Sequence, residues 1–283
     1  MTNVMMKSVG GWARPLLLSV ALSACAAIAN PAQDRIQAGK ALFDEKCRTV
    51  AGQKIYRTVE DVEGIVLLKL RPRATESNLA DPMWPGAAFA KERDGEGYIT
   101  SFLSYEHSSS PDRKPVAPND RGYITTDFQP GNPSNIAGYR YVDVADERDV
   151  GKRWRYSGLE RMTPTVNHIS MGGDGQTYMV KRYVLDKAPA PSESPRYGVT
   201  FEDHVDYAER GLGLASSTVK VIDLKTQEVL GEFTRYAWTP ASPNPLNPTP
   251  WLSAYNCGDQ FTSAASTKTR LFVDQILKPL QDR

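Results

Sequence analysis

The sequence predicts an α+β fold: a predominantly antiparallel β-sheet domain with an N-terminal and a C-terminal helix, closed by one disulfide. Three observations carry that prediction. Segments with the two-residue alternation of half-buried strands outnumber segments with helical spacing. Helical spacing is clearest at the two ends of the folded part of the chain, and 20 prolines and 21 glycines supply the turns that many short strands require. A pair of cysteines, Cys47 and Cys257, sits near those same two ends.

The chain opens with a basic segment that carries Lys7 and Arg14 and no acidic residue, followed by the apolar run Pro15 to Leu22. That outline is a signal peptide, over residues 1–24. The run is far shorter than the roughly 20 residues of a membrane-spanning helix. Directly after it, Leu22-Ser23-Ala24-Cys25 resembles the lipobox of bacterial lipoproteins. The resemblance implies that Cys25 is lipidated and becomes the first mature residue, with Ala26 after it favouring the outer membrane. A competing cleavage site, Ala27-Ile28-Ala29, would instead release a soluble periplasmic protein.

With Cys25 used in either case, Cys47 and Cys257 are an even remainder in an oxidising compartment, and one disulfide between them is expected. Two separate buried thiols are the alternative. The absence of CxxC or Cys/His spacing argues against structural zinc. Removing the two basic residues of the leader leaves 32 Lys+Arg against 33 Asp+Glu, a balance of −1. No basic run points to nucleic acid.

After a tether over 25–33, the domain is expected to occupy 34–283 as one unit. Asp34 with Gln37 has capping-box spacing, and Ile36, Phe43 and Cys47 share one stripe of a helix over Asp34 to Cys47. Lys54 to Val59 and Ile65 to Arg71, separated by a polar turn, read as a hairpin. Residues 72–136 lose the pattern and read as an irregular insertion whose aromatics, Trp84, Phe89, Tyr98, Phe102 and Tyr105, suggest local packing rather than a ligand cage. Strand character returns at Tyr139 to Val144, Lys152 to Tyr156, Thr177 to Leu185 and Tyr197 to Val205. Ser217 to Leu224 and Val229 to Trp238, joined by a four-residue turn, form the clearest hairpin. A proline-rich connector over Thr239 to Pro250 reads as extended, and a helix over Thr267 to Leu277 shows Val273, Ile276, Leu277 and Leu280 on one face with charges opposite.

Chemistry is sparse. The three histidines, His107, His168 and His204, stand in different segments without metal-ligand spacing. His204, flanked by Glu202, Asp203 and Asp206, is the first candidate for a catalytic role and His168 the second. Asp143, Asp146, Glu147 and Asp149 invite a calcium reading, but they lack EF-hand spacing and read better as solvated loop charge. Met171-Gly172-Gly173-Asp174-Gly175 lacks the Lys-Ser/Thr of a phosphate loop and reads as a hairpin turn. No cofactor is expected.

The lipobox, FDEKC ending at Cys47, KIYRTVEDVEGIVLLKLRP, the STVKVIDLKTQEVLGEF hairpin, Trp251 ahead of Cys257 and the closing LFVDQILKP together resemble a group of Gram-negative lipoproteins of the type encoded beside type VI secretion phospholipase effectors. That resemblance implies a non-enzymatic, membrane-tethered protein that binds a partner, in its sharpest form an immunity protein against a periplasm-delivered phospholipase. It carries over no catalytic residue. An envelope structural or assembly lipoprotein, and a hydrolase with an unrecognised site, are the competing expectations.

Overall fold

In a computed structural model, residues 30–103, 106–107, 135–136, 138–146, 149, 151–258 and 266–280 are described. The apolar run IVLL at Ile65 to Leu68 explains the centre of the architecture. A continuous apolar run, unlike an alternating one, marks a strand with both faces covered, and that environment suits parallel neighbours. Ile65, Val66 and Leu67 are fully buried, and their strand lies in the middle of the main sheet with parallel partners on both sides.

The elements in order are α1 (Pro31–Thr49), β1 (Gly52–Ile55), β2 (Val59–Val62), β3 (Gly64–Leu67), α2 (Glu76–Ala80), α3 (Gly95–Leu103), β4 (Glu106–His107), β5 (Asn135–Ile136) and β6 (Tyr141–Ala145). They continue with β7 (Arg153–Val166), β8 (Thr177–Pro189), β9 (Tyr197–His204), α4 (Tyr207–Gly211), β10 (Leu214–Asp223), β11 (Glu228–Trp238), β12 (Tyr255–Cys257), α5 (Lys268–Ile276) and β13 (Leu277–Pro279). The main sheet runs β1-β11-β10-β9-β3-β6-β7-β8, with β12 also paired to β11.

The fold is α+β and mostly sheet, but the sheet is mixed where antiparallel pairing was expected: β3 runs parallel to β6 and to β9. The expected hairpin of 54–59 with 65–71 does not form. Its halves go to distant partners, β1 to β11, β2 in parallel to β13, and β3 to the sheet centre. The hairpin of β10 and β11 forms as expected, with Leu214 opposite Trp238 and Asp223 opposite Glu228. Its turn places Gln227 at φ 60°.

Helix α1 starts a turn earlier than the capping-box spacing at Asp34 suggested. Asn30 is the N-cap, accepting from the Gln33 N–H at 3.4 Å, and Pro31 follows at the first helical position, where its fixed φ and missing N–H cost nothing. Ile36, Phe43 and Cys47 turn inward as their spacing predicted, onto Leu214, Tyr236 and Trp238. Gly39 makes the contact close: a Cβ there would lie 2.4 Å from the Leu212 carbonyl oxygen. At the end of α1, Cys47 is disulfide-bonded to Cys257 of β12, with Cα atoms 5.7 Å apart.

The larger core lies on one face of the sheet. Val219, Val221, Leu230 and Phe233 meet Phe272, Val273 and Ile276 of α5, and Phe233 packs edge-on against Phe89 at 5.7 Å. Helix α5 matches its expected span, yet its polar side is not solvated: Lys268 and Arg270 are buried, and Arg270 binds Asp274 at 2.6 Å and the Ser101 carbonyl at 2.6 Å.

The first part of the expected irregular stretch 72–136 is ordered helical structure. α2, a 3₁₀ turn at Pro85–Phe89 and α3 bring Trp84, Phe89, Tyr98, Ile99 and Phe102 into the core, so the expected local packing role of these aromatics holds. Tyr105 and residues 108–134 lie outside the described residues.

Candidate functional site

Strands β7 and β8, 14 and 13 residues long, pair along their whole length, from Trp154 opposite Pro189 to Val166 opposite Thr177. Their neighbour β6 is only 5 residues long and stops at Tyr141 opposite Ser157. Beyond Ser157 the pair therefore continues as a two-stranded ribbon. Pairing across a sheet puts opposed residues on one face, so Met162, Pro164, Val166 and Met179 share the face that carries Trp154, Tyr156 and Leu185 nearer the body. By the same register that face also takes in position 160 (Glu), position 181 (Lys, opposite Met162) and position 187 (Lys, opposite Tyr156), so its apolar residues are interspersed with charged positions. Trp154, Tyr156 and Leu185 pack on the core, whereas Met162 and Met179 are 56 % and 58 % exposed.

The ribbon ends in residues 167–176, where the expected hairpin turn at Met171 to Gly175 is found. Gly172 and Gly175 take positive φ, and Asn167 exchanges backbone hydrogen bonds with Gln176 and Gly175. Asp174 accepts from the Tyr178 hydroxyl, which holds its carboxyl below the usual range. The turn presents Ile169 and Met171, 74 % and 87 % exposed. On its outer side β8 has no strand partner among the described residues, so a row of backbone donors and acceptors is open there.

A second feature lies in the body, a cleft of about 180 Å³ lined by Arg71, Trp84, Pro85, Phe89, Glu92 and Asp203, with others. Arg71 is buried, its guanidinium held between the rings of Phe89 and Phe201 at 4.0 and 4.2 Å. Asp203 Oδ1 stands 3.7 Å from Arg71 Nη1. Glu92 accepts from the Thr269 N–H at 3.0 Å, and burial, opposed by Arg71, pushes its carboxyl up to about 7.

The residues singled out by sequence fall elsewhere. Cys25 lies outside the described residues, and of His107 only the backbone, in β4, is described. His168 is exposed at the ribbon tip, and its carbonyl accepts from the Met171 and Gly173 N–H groups. His204 ends β9 in the body, with Nε2 3.1 Å from Thr218 Oγ1, so the two histidines do not share a site. The carboxylates around His204 are engaged apart from it. Glu202 is held below the usual carboxylate range by Lys220 at 3.0 Å, Asp203 faces Arg71, and Asp206 caps α4.

The acidic group read as solvated loop charge is divided. Asp143 is buried on β6 and gripped by Arg155 through two bonds of 2.7 and 3.1 Å, because the arginine sits directly opposite it on β7. Asp146 accepts from Trp154 Nε1, and Glu147 lies outside the described residues. Among the described residues, no group of three or more His, Cys, Asp or Glu is placed to hold a metal ion, and no helix is long and apolar enough to cross a membrane. Sequence reading missed the ribbon, since Pro164 and the polar Thr163 and Thr165 hid the length of β7; the exposed Met162, Ile169, Met171 and Met179 were the signal available. No protein-family model, curated protein or solved structure matches this chain.

Proposed function

We propose that this chain is a non-catalytic binding protein of the bacterial envelope, tethered to a bilayer by an acyl group on Cys25, whose protein partner docks on the β7–β8 ribbon. One observation carries the reading: the ribbon continues the core face of the sheet, and no described residue covers its apolar side chains Met162 and Met179 or Met171 at its tip. Such a surface costs solubility unless it is used. Methionine side chains adapt to irregular partners.

The open edge of β8 favours a protein as the occupant. An added strand can satisfy its backbone donors and acceptors, whereas the hydrocarbon of a bilayer cannot. The disulfide between α1 and β12 supports an oxidising compartment, in keeping with export. In the sharper form of the proposal the partner is a phospholipase delivered to the periplasm and the chain is its immunity protein. A tether then concentrates the blocker at the bilayer its target attacks.

The test is a challenge of cells lacking the gene with attackers that deliver a phospholipase to the periplasm. Restoring the parent protein is expected to rescue survival, and restoring a Met162→Ser, Met171→Ser, Met179→Ser variant that accumulates to the same level is not. Survival unaffected by the deletion overturns the immunity role; equal rescue by the variant overturns the ribbon as the docking surface.

A further inference from the structure

We propose that the partner adds a strand rich in carboxylates to the outer edge of β8, and to that edge alone. The inference rests on the ribbon being the docking surface and says how the docking is made. In an antiparallel pair, residues alternate between those bonded to the facing strand and those whose N–H and C=O point the other way. Hydrogen bonds at the two ends of the ribbon fix which are which. The Ala190 N–H donates to the Arg153 carbonyl and the Asn167 N–H to the Gln176 carbonyl, so the ladder bonds odd-numbered residues of β7 to even-numbered residues of β8. The odd-numbered residues from Thr177 to Lys187 therefore turn their backbone groups away from β7. The even-numbered residues of β7 turn theirs away from β8, as the bond from the Asp146 N–H to the Lys152 carbonyl on the β6 side agrees.

The two outer edges of the ribbon are unlike. Beyond Ser157, where β6 stops, the outward positions of β7 include Pro164, which has no N–H to offer. A proline placed so costs the β7–β8 ladder nothing and keeps a further strand from pairing on that side. From Thr177 to Lys187 the outward positions of β8 hold no proline; the first is Pro189, where the strand ends. One edge is closed by its sequence, and the other is left open over 177–187.

Charge names the kind of strand that fits. β8 carries three cationic residues, Lys181, Arg182 and Lys187, against one acidic residue, Asp186, which already faces Arg161 at 3.6 Å. Opposite charges on adjacent strands attract and like charges repel. A second copy of β8 would bring the same excess of positive charge, whereas a strand bearing aspartate or glutamate meets it. Nearer the tip, Tyr178, Met179 and Val180 are exposed on the two faces of β8. The matching strand is therefore apolar at that end and acidic along the rest.

The probe is an end-blocked peptide of valine, threonine and glutamate, long enough to span 177–187, compared by fluorescence anisotropy with its counterpart in which lysine replaces glutamate. The acidic peptide is expected to bind the folded chain saturably and at least about ten-fold tighter than the basic one. Lys181→Glu with Arg182→Glu is expected to reverse that preference. Lys181→Pro, which removes one outward N–H, is expected to bind about ten-fold more weakly than Lys181→Thr, which loses the same charge and keeps the N–H. The charge reversal decides the matter alone if the proline variant does not fold. In the complex, amide exchange followed by NMR is expected to slow at Met179, Tyr183 and Leu185 and to stay unchanged at Val180 and Val184, whose N–H groups already face β7. No saturable binding of the acidic peptide, equal binding of the two peptides, a preference that charge reversal leaves unaltered, or slowing without that alternation overturns strand addition. Docking on the ribbon fails separately: if serine at Met162, Met171 and Met179 abolishes rescue in the survival test while the peptide results are negative, the ribbon holds its partner without an added strand.

Discussion

Two long antiparallel hairpins of this chain, β10–β11 with a bulge at Leu230 and β7–β8 without interruption, have opposite fates. Val219, Val221, Leu230 and Phe233 of the first are fully buried under α5 and the helical turn at Pro85–Phe89, and α1 covers Leu214, Tyr236 and Trp238. The second loses its neighbour β6 beyond Ser157 and carries Met162, Val166, Tyr178, Met179 and Val180 into solvent. Strand pairing is propagated by the backbone, whereas stability depends on what covers the faces. Apolar residues on a ribbon that is paired but not covered by any described residue add little to the fold.

The largest test of this contrast removes the staple beside the covered hairpin. The disulfide closes a loop with a sequence separation of 210, for which chain entropy gives about 5 kcal/mol as an upper figure. A Cys47→Ser, Cys257→Ser variant is expected to lose most of that in denaturant unfolding, and a loss below about 1 kcal/mol would show that α1 and β12 are held without it. Next, Phe233→Ala removes a ring packed on Phe89 and Phe272, an expected loss of about 3–5 kcal/mol.

Glu92 gives the third prediction, a dependence on pH. Its folded pKa, about 7, lies above its ordinary value of 4.5. The neutral carboxyl is thus favoured by the fold, its contribution is complete below about pH 4.5, and it is lost as pH rises through 7. The linked change is about 3 kcal/mol, less whatever other groups contribute with the opposite sign. Asp223, held far below the usual range chiefly by Arg196, acts in that opposite sense and protects the fold only above its unfolded pKa. Unfolding of Glu92→Gln, followed from pH 5 to pH 8, is expected to lack the decline that the parent shows; parallel curves would break the assignment.

The contrast also separates what was legible in the sequence from what was not. The β10–β11 hairpin was, because alternation and a short polar turn are local signals. So were the helices at the two ends, through their apolar stripes, and the disulfide, through the count of cysteines. Strand β3 was legible as a strand but its pairing was not, since a run such as Ile65-Val66-Leu67 reports burial on both faces but names no neighbour, and its partners β6 and β9 are remote in the chain. The cleft was equally hidden. Arg71, Glu92 and Asp203 come from three segments, and nothing in a sequence distinguishes an arginine buried between Phe89 and Phe201 from one in solvent. Asp143 and Arg270 taught the same lesson: charges that looked solvated are paired inside.

The smallest expected effect on stability is the most informative about the ribbon. If its apolar residues serve the fold, replacing Met162, Met171 and Met179 with serine should destabilise the chain as core truncations do. Their exposure predicts instead a change within about 0.5 kcal/mol for each. The distal ribbon should also open on its own, since few apolar contacts hold it. Amide hydrogen exchange would then be faster over residues 159–166 and 177–183 than over β10 and β11, and the triple variant would leave the slow amides of β10 and β11 unchanged. Slow exchange shared by both hairpins would mean that the ribbon is part of the cooperative core after all, and its exposed methionines would need an explanation other than a partner.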